Sequence, residues 1–316
     1  MKKKTIKAPK KTLAFSEIIL GSSDYLKLDQ MEKVEKMFSA YVKAGGNTFD
    51  TARHYRESEA VIGKWLKGKN RSDYKIITKG CHPVREAPHT PRVTPSAIRE
   101  DLEMSLKMLE TDYVDVLLLH RDDNSVSVGP LMETMNELVE EGKITCFGVS
   151  NWTLERIKEA MDYCEAHHLY PLTFNSPNFS LATVNKARWE NSITADEEMI
   201  QWHDQNNFPL ISWSAQAEGF FAHRFTEEDV NRPELKEFVE VYFNDLNWKR
   251  LEICDALAKE KNMKSVQIAL AYVLQQSFPS FATIGPEEEW QLADSLEALT
   301  ITLTEEELTM LRKGGD

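Results

Sequence analysis

The chain has 316 residues, 41% hydrophobic and 28% charged, a balance typical of a soluble globular protein that can bury a sizeable core. Thirty-eight Lys and Arg against 51 Asp and Glu leave a net charge of −13, which repels nucleic acid and anionic lipid and makes both poor partners. No run of 18 apolar residues occurs, so no membrane-spanning helix is expected.

The start, Met-Lys-Lys-Lys-Thr-Ile-Lys, is charged like the head of a signal peptide, but Lys7, Lys10 and Lys11 interrupt any apolar stretch after it. The four cysteines, Cys81, Cys146, Cys164 and Cys254, are far apart and include no CxxC pair. This pattern predicts reduced, mostly buried thiols in a cytoplasmic protein, and no metal site.

In chain order, apolar runs of strand length alternate with helical patterns. Residues 18–21 form a short strand ending in glycine. Residues 31–44 place Met31, Val34, Met37, Phe38, Tyr41 and Val42 at helical spacing, and Gly45 and Gly46 stop the helix. A strand over 47–50, a helix over 57–66 and a strand over 74–78 follow. Thr94 before Pro95 is an N-cap with proline at the first helical position, opening a helix that runs to 109. Residues 114–119 read as a buried strand and 131–139 as a helix closed by Gly142. Strands are then expected over 145–149, 172–175, 210–213 and 280–284, and helices over 154–164, 195–206, 251–259, 265–274 and 287–296. Thr304 caps a last helix reaching 312, with Glu305, Glu306 and Glu307 in its first turn.

These eight strand–helix steps imply a parallel sheet, and eight in this length predict closure into an α/β (β/α)8 TIM barrel, one domain over 1–316. An open doubly wound sheet is the alternative. It would normally carry GxGxxG after the first strand if it bound a dinucleotide, whereas that strand here runs on as LGSSDYL. The longer connections, 82–93, 176–192 and 216–246, all follow strands, on the face where barrel active sites lie.

Four polar residues fall at or just past strand ends: Asp50 and Tyr55, Lys79, and His120. On a barrel these positions converge at one end, and their types suit proton transfer to a carbonyl oxygen. A phenol, with a reference pKa of about 10, is a poor acid at neutral pH, but a nearby ammonium stabilises the phenolate. An aspartate can pair with that lysine, and a histidine can orient the substrate oxygen.

The segment Asn47-Thr48-Phe49-Asp50-Thr51-Ala52-Arg53-His54-Tyr55, with Glu59 and Gly63 after it, resembles the signature of the aldo-keto reductases. Ile76-Ile77-Thr78-Lys79, Asp115 through His120, and Glu140 through Trp152 are similar to three further segments of that family in the same order, so the resemblance runs from about residue 12 to the C-terminus. It implies hydride transfer between a nicotinamide cofactor and a carbonyl or alcohol, with Tyr55 as general acid or base, Lys79 lowering its pKa, Asp50 paired to Lys79, and His120 orienting the carbonyl. Ser150 and Asn151 would hold the nicotinamide carboxamide. Trp213 would stack on the ring where tyrosine is more usual, its larger indole face preserving the contact. Gly21, Ser22, Ser214, Gly285, Gln291 and Ser295 fall at the remaining cofactor-binding positions.

Three departures from the family pattern stand out. Ser176, or Asn175 in a register one residue shifted, occupies the place of a glutamine that touches the carboxamide. Arg56 replaces a glycine after the tyrosine. Glu287, Glu288 and Glu289 stand where many relatives carry cations for the 2′-phosphate of NADPH. Losing one charge-assisted hydrogen bond costs roughly 1.5–3 kcal/mol, on the order of ten- to a hundredfold in affinity. NAD(H) is therefore the favoured cofactor, with NADP(H) the alternative should a loop cation such as Arg224 fold over. As a plain first turn, the three glutamates would simply favour the helix dipole.

Asp24, Arg56, Arg121 and Asn178 suggest a roomy polar pocket, and so a sugar-like or polyol substrate. His82, His89, His167, His168, His203 and His223 are expected at the surface or in loops. Two other function classes compete: a cofactor-binding regulatory subunit resembling the β subunits of potassium channels, and an inactive scaffold. Retention of Asp50, Tyr55, Lys79 and His120 argues against the scaffold.

Overall fold

The structure, a computed structural model, describes residues 1–23 and 25–315. It opens with β1 (Lys3–Lys7) and β2 (Thr12–Ser16), an antiparallel hairpin. Then follow β3 (Ile18–Gly21), α1 (Met31–Lys43), β4 (Thr48–Asp50), α2 (Ser58–Leu66), β5 (Lys75–Gly80), α3 (Pro95–Met108), β6 (Val114–Leu119) and α4 (Val128–Glu140). Next come β7 (Ile144–Ser150), α5 (Leu154–Ala166), β8 (Phe174–Ser176), α6 (Glu197–Asn206) and β9 (Leu210–Ser212). The chain ends with α7 (Lys236–Tyr242), α8 (Asp245–Lys261), α9 (Ser265–Leu274), β10 (Ser280–Ile284), α10 (Glu289–Glu297) and α11 (Glu305–Lys313). Strands β3 to β10 are parallel and close in chain order, β10 pairing with both β9 and β3. This is the expected eight-stranded barrel wrapped in helices. No helix among the described residues is long and apolar enough to cross a membrane.

Local chemistry explains most boundaries. The Thr94 hydroxyl accepts from the Ala97 N–H at 3.2 Å, and the Thr304 hydroxyl from the Glu307 N–H at 3.2 Å, each satisfying a helix-start donor. The helix expected from 287 begins instead at Glu289, because Gln291 Oε1 accepts from the N–H groups of Glu287 and Glu288 and folds them into a capping turn. The segment 216–246 contains α7 and three short 3-10 turns.

Two packed regions hold the barrel. Outside it, the helices bury a continuous apolar layer against the strands. Inside, Ile19, Ile77, Val116, Leu118, Cys146, Phe174, Ile211 and Phe281 fill the pore and pack on Ile6, Leu13 and Phe15 of the hairpin. Phe15 meets Phe174 edge-on at 5.3 Å and Phe281 at 6.1 Å. Lys4 Nζ donates to the carbonyls of Leu274 (2.9 Å) and Ser280 (2.8 Å). The hairpin thus closes the end of the barrel where its strands begin. All four cysteines are buried free thiols. His203, expected at the surface or in a loop, is fully buried. Its Nδ1 bonds to the Phe208 carbonyl at 2.8 Å and its Nε2 faces the Asn175 amide at 3.0 Å, so the ring serves as a satisfied core group.

Candidate active site

Alternate residues of a strand face the same side. Ile77, Leu118, Phe174 and Ile211 point into the pore, so Lys79, His120, Ser176 and Trp213, each two residues on, turn inward at the open end. Cys146 leads in the same way through Gly148 to Ser150. These side chains border one cavity of about 1170 Å³, together with Asp50 and Tyr55.

Lys79 is locked at the base of this cavity. Its ammonium donates to both carboxylate oxygens of Asp50 at 2.6 Å and to the Thr51 carbonyl at 3.1 Å. Burial disfavours the charge, but Asp50 and then Tyr55 outweigh it, and the lysine pKa lies above its ordinary value. The ammonium also sits 5.5 Å from the centre of the Tyr55 ring. His120 meets that ring edge-on at 5.7 Å. Burial, then the charges of Lys79 and Arg121, holds the His120 pKa well below its usual value, so its imidazole is neutral. Its Nδ1 is buried with no hydrogen-bond partner among the described residues.

The eleven residues expected to contact a cofactor all border the same cavity. The Ser150 hydroxyl donates to the Ser176 carbonyl at 2.8 Å and accepts from the Asn151 amide at 3.0 Å. Asn151 adopts a left-handed backbone (φ 62°), as does Ser214 (φ 52°), both turning the chain at the rim. Gly21 and Ser22 face Gly285, Glu287, Gln291 and Ser295 across the β3–β10 pairing. The Ser22 hydroxyl is buried without a partner among the described residues. An unsatisfied hydroxyl, a tryptophan face and a ring of serine and amide groups make a donor set that fits a nicotinamide dinucleotide. Of the three glutamates, only Glu287 borders the cavity; Glu288 turns out to Lys33 at 2.7 Å, and Glu289 is exposed.

Other expectations change. Asn175 faces outward to His203 and Met199, so the register places Ser176 in the cavity. Asn178 is buried between β8 and β9, where its backbone bridges to Trp213, and it does not border the cavity. Arg56 is exposed beside the cavity rather than lining it. Asp24 lies outside the described residues. Arg121 does line the cavity.

The loops add groups that the sequence pattern leaves hidden. His54 and His82 stack at 3.7 Å, and His82 lies 4.8 Å from His120. Burial pulls the His82 pKa down to about 4, with the Pro83 carbonyl working against this and His54 with it. Trp189, half-exposed in the 176–192 connection, packs 5.2 Å from Trp213. The Gln216 amide donates to the Ser295 hydroxyl at 3.2 Å and ties the 216–246 segment to α10. These contacts join residues from separate loops, which no periodicity encodes. Among the described residues, no group of three or more His, Cys, Asp or Glu is placed to hold a metal ion.

The profile of the Aldo/keto reductase family matches residues 17–315. The chain belongs to this family. As an aldo/keto reductase it is an oxidoreductase that uses a nicotinamide cofactor on a small-molecule substrate. An aryl-alcohol dehydrogenase of Pestalotiopsis microspora is 28% identical over 294 residues, 90% of this chain and 73% of its own. A norsolorinic acid reductase of Aspergillus flavus is 28% identical over 287 residues, 86% of this chain and 69% of its own. An aldo-keto reductase from Klebsiella pneumoniae, solved with NADPH, shares the fold with a TM-score of 0.73 at 22% identity, covering 100% of this chain and 97% of its own.

Proposed function

We propose that this aldo/keto reductase interconverts an aryl-bearing aldehyde or ketone and its alcohol, with Tyr55 as the proton donor in reduction. The observation that carries the reading is the locked Lys79–Asp50 pair beneath the Tyr55 ring. A bound nicotinamide would supply or accept the hydride. Tyr55 holds the proton at its phenol oxygen, and the Lys79 ammonium favours the phenolate left behind. Asp50 keeps that ammonium in place. Neutral His120 offers a ring N–H to the carbonyl oxygen and aligns it. Ser150, Asn151 and Ser176, which border the cavity, would hold the carboxamide, and Trp213 would cover the ring.

The aryl substrate replaces the sugar-like one suggested by the polar loop residues. Of the described residues behind that suggestion, Arg121 alone borders the cavity, whereas Trp189, Trp213 and the His54–His82 stack bring ring faces to it. The relatives named as aryl-alcohol dehydrogenases and norsolorinic acid reductases favour the same choice. Benzaldehyde should exceed a simple aldose in kcat/KM by about tenfold or more, a difference of about 1.4 kcal/mol. The opposite ranking restores the sugar reading.

For the dinucleotide, this chain's residues weigh towards NAD(H). Glu287 borders the cavity, and two lysines near α10 are already engaged, Lys33 with Glu288 and Lys264 with Asp294. Arg224 at the rim and the NADPH of the Klebsiella relative support the phosphorylated form. Titration with NADH and NADPH, followed by tryptophan quenching, decides between them: tighter NADH supports the Glu287 reading, and tighter NADPH overturns it and points to a rim cation such as Arg224.

A further inference from the structure

Among the described residues, Arg121 is a cation without a counter-ion beside the site. It follows His120 directly at the end of β6 and borders the cavity beside Tyr55. Among the described residues, its guanidinium makes one hydrogen bond, from Nη1 to the His120 carbonyl at 3.1 Å, and no ion pair. Three described carboxylates that border the same cavity are paired elsewhere: Asp122 with Arg156 at 3.3 Å, Glu190 with His89 at 2.8 Å, and Asp50 with Lys79 at 2.6 Å. Its backbone is held from two sides, because Trp152 Nε1 donates to the Arg121 carbonyl at 3.1 Å and the Asn151 amide to the His120 carbonyl at 3.2 Å. Burial disfavours its charge and lowers its pKa, with Tyr55 opposing. A partly buried cation left uncompensated is costly to the fold, and a bound anion removes that cost.

The place of Arg121 on the barrel argues against a role in holding the cofactor's phosphates. In the closed ring of eight strands, β6 stands four strands from β10, across the pore from Gly285, Glu287 and Gln291. Its partner is therefore sought on the substrate. A guanidinium presents a planar fork that matches a carboxylate through two parallel N–H donors, and the His54–His82 stack supplies a flat surface in the same cavity. Resting on the aryl-carbonyl reading above, we propose that the natural substrate carries a carboxylate and that Arg121 receives it.

The test compares 4-formylbenzoate with its methyl ester, which have the same ring and aldehyde but differ in the anion. The wild-type enzyme should prefer the acid in kcat/KM by on the order of tenfold or more, expressed in KM. Arg121→Met should erase that preference, and Arg121→Lys should retain part of it. Equal wild-type activity on acid and ester overturns the proposal. So does an equal loss on both in Arg121→Met with a shifted pH profile of kcat, since that makes Arg121 a partner of the Tyr55 phenolate. Binding of 4-formylbenzoate, read by tryptophan quenching, separates the two readings. Binding that Arg121→Met weakens, without turnover of either aldehyde, retires the aryl-carbonyl reading and supports the anion site. Binding indifferent to Arg121 overturns the anion site.

Discussion

Lys79 and Asp50 bury a full ion pair, and Lys79 uses a further hydrogen bond on the Thr51 carbonyl. Removing the ammonium would strand a carboxylate where burial already works against its charge. Lys79→Met should therefore destabilise the fold by about 3–5 kcal/mol, read by denaturant unfolding, and should move the ionisation of Tyr55 to higher pH, read in the pH profile of alcohol oxidation. An unmoved profile would separate Lys79 from the tyrosine. Tyr55→Phe keeps the ring and removes the proton, so turnover should fall by about 10²–10⁴-fold while cofactor quenching of tryptophan persists; unchanged turnover would remove Tyr55 from the chemistry. Both residues are legible in the sequence because they sit at or just after strand ends within a recognisable segment. His54, His82 and Trp189 are not, since their meeting depends on loop paths. Arg121 is visible as a polar residue, but its lack of an ion pair among the described residues appears only when the cavity's carboxylates Asp50, Asp122 and Glu190 are seen paired elsewhere.

At the scale of elements, the strands with strong apolar runs were readable, and β6 has the expected bounds. The β1–β2 hairpin was not, because Ile6 is the sole apolar residue of β1 and gives alternation nothing to repeat. β8 begins two residues later than its apolar run, at Phe174, and ends on Ser176, a difference that decides which side chain enters the cavity. Close approach between elements leaves a clearer trace in glycine. A Cβ on Gly148 would lie 2.2 Å from the Phe174 carbonyl oxygen, and one on Gly63 would lie 2.5 Å from the Met108 carbonyl oxygen, where α2 crosses the end of α3. Gly148→Ala should force β7 from β8, with a loss of about 1–3 kcal/mol measurable as a lower Tm. Because Ser150 and Ser176 follow on these two strands, cofactor binding should weaken with it. An alanine variant of wild-type Tm and affinity would show that the strands have room to part.

For the whole molecule, closure of the barrel followed from counting strand–helix steps, while the way its lower end is sealed did not. Phe15→Ala should cost about 3–5 kcal/mol in unfolding experiments yet leave cofactor affinity unchanged, because the cavity lies at the opposite end of the pore. Acid sensitivity is also a property of the whole fold. Burial holds His203 down to about 4, its Phe208 hydrogen bond opposing the shift, and His82 is likewise at about 4. Between those values and the usual histidine pKa of about 6.5 the unfolded chain binds more protons, so stability rises with pH across that window and is lost as pH falls through it. For His203 the loss is on the order of 3 kcal/mol, and Tm measured from pH 7 down to 4 should decline, less steeply in His203→Gln. The hairpin plug has a kinetic consequence. With one end of the pore filled by Phe15 and its neighbours, reactants and products share a single entrance, and whatever lies deepest enters first and leaves last. Steady-state traffic through this enzyme should therefore run as a queue, and inhibition by each product should reveal its order.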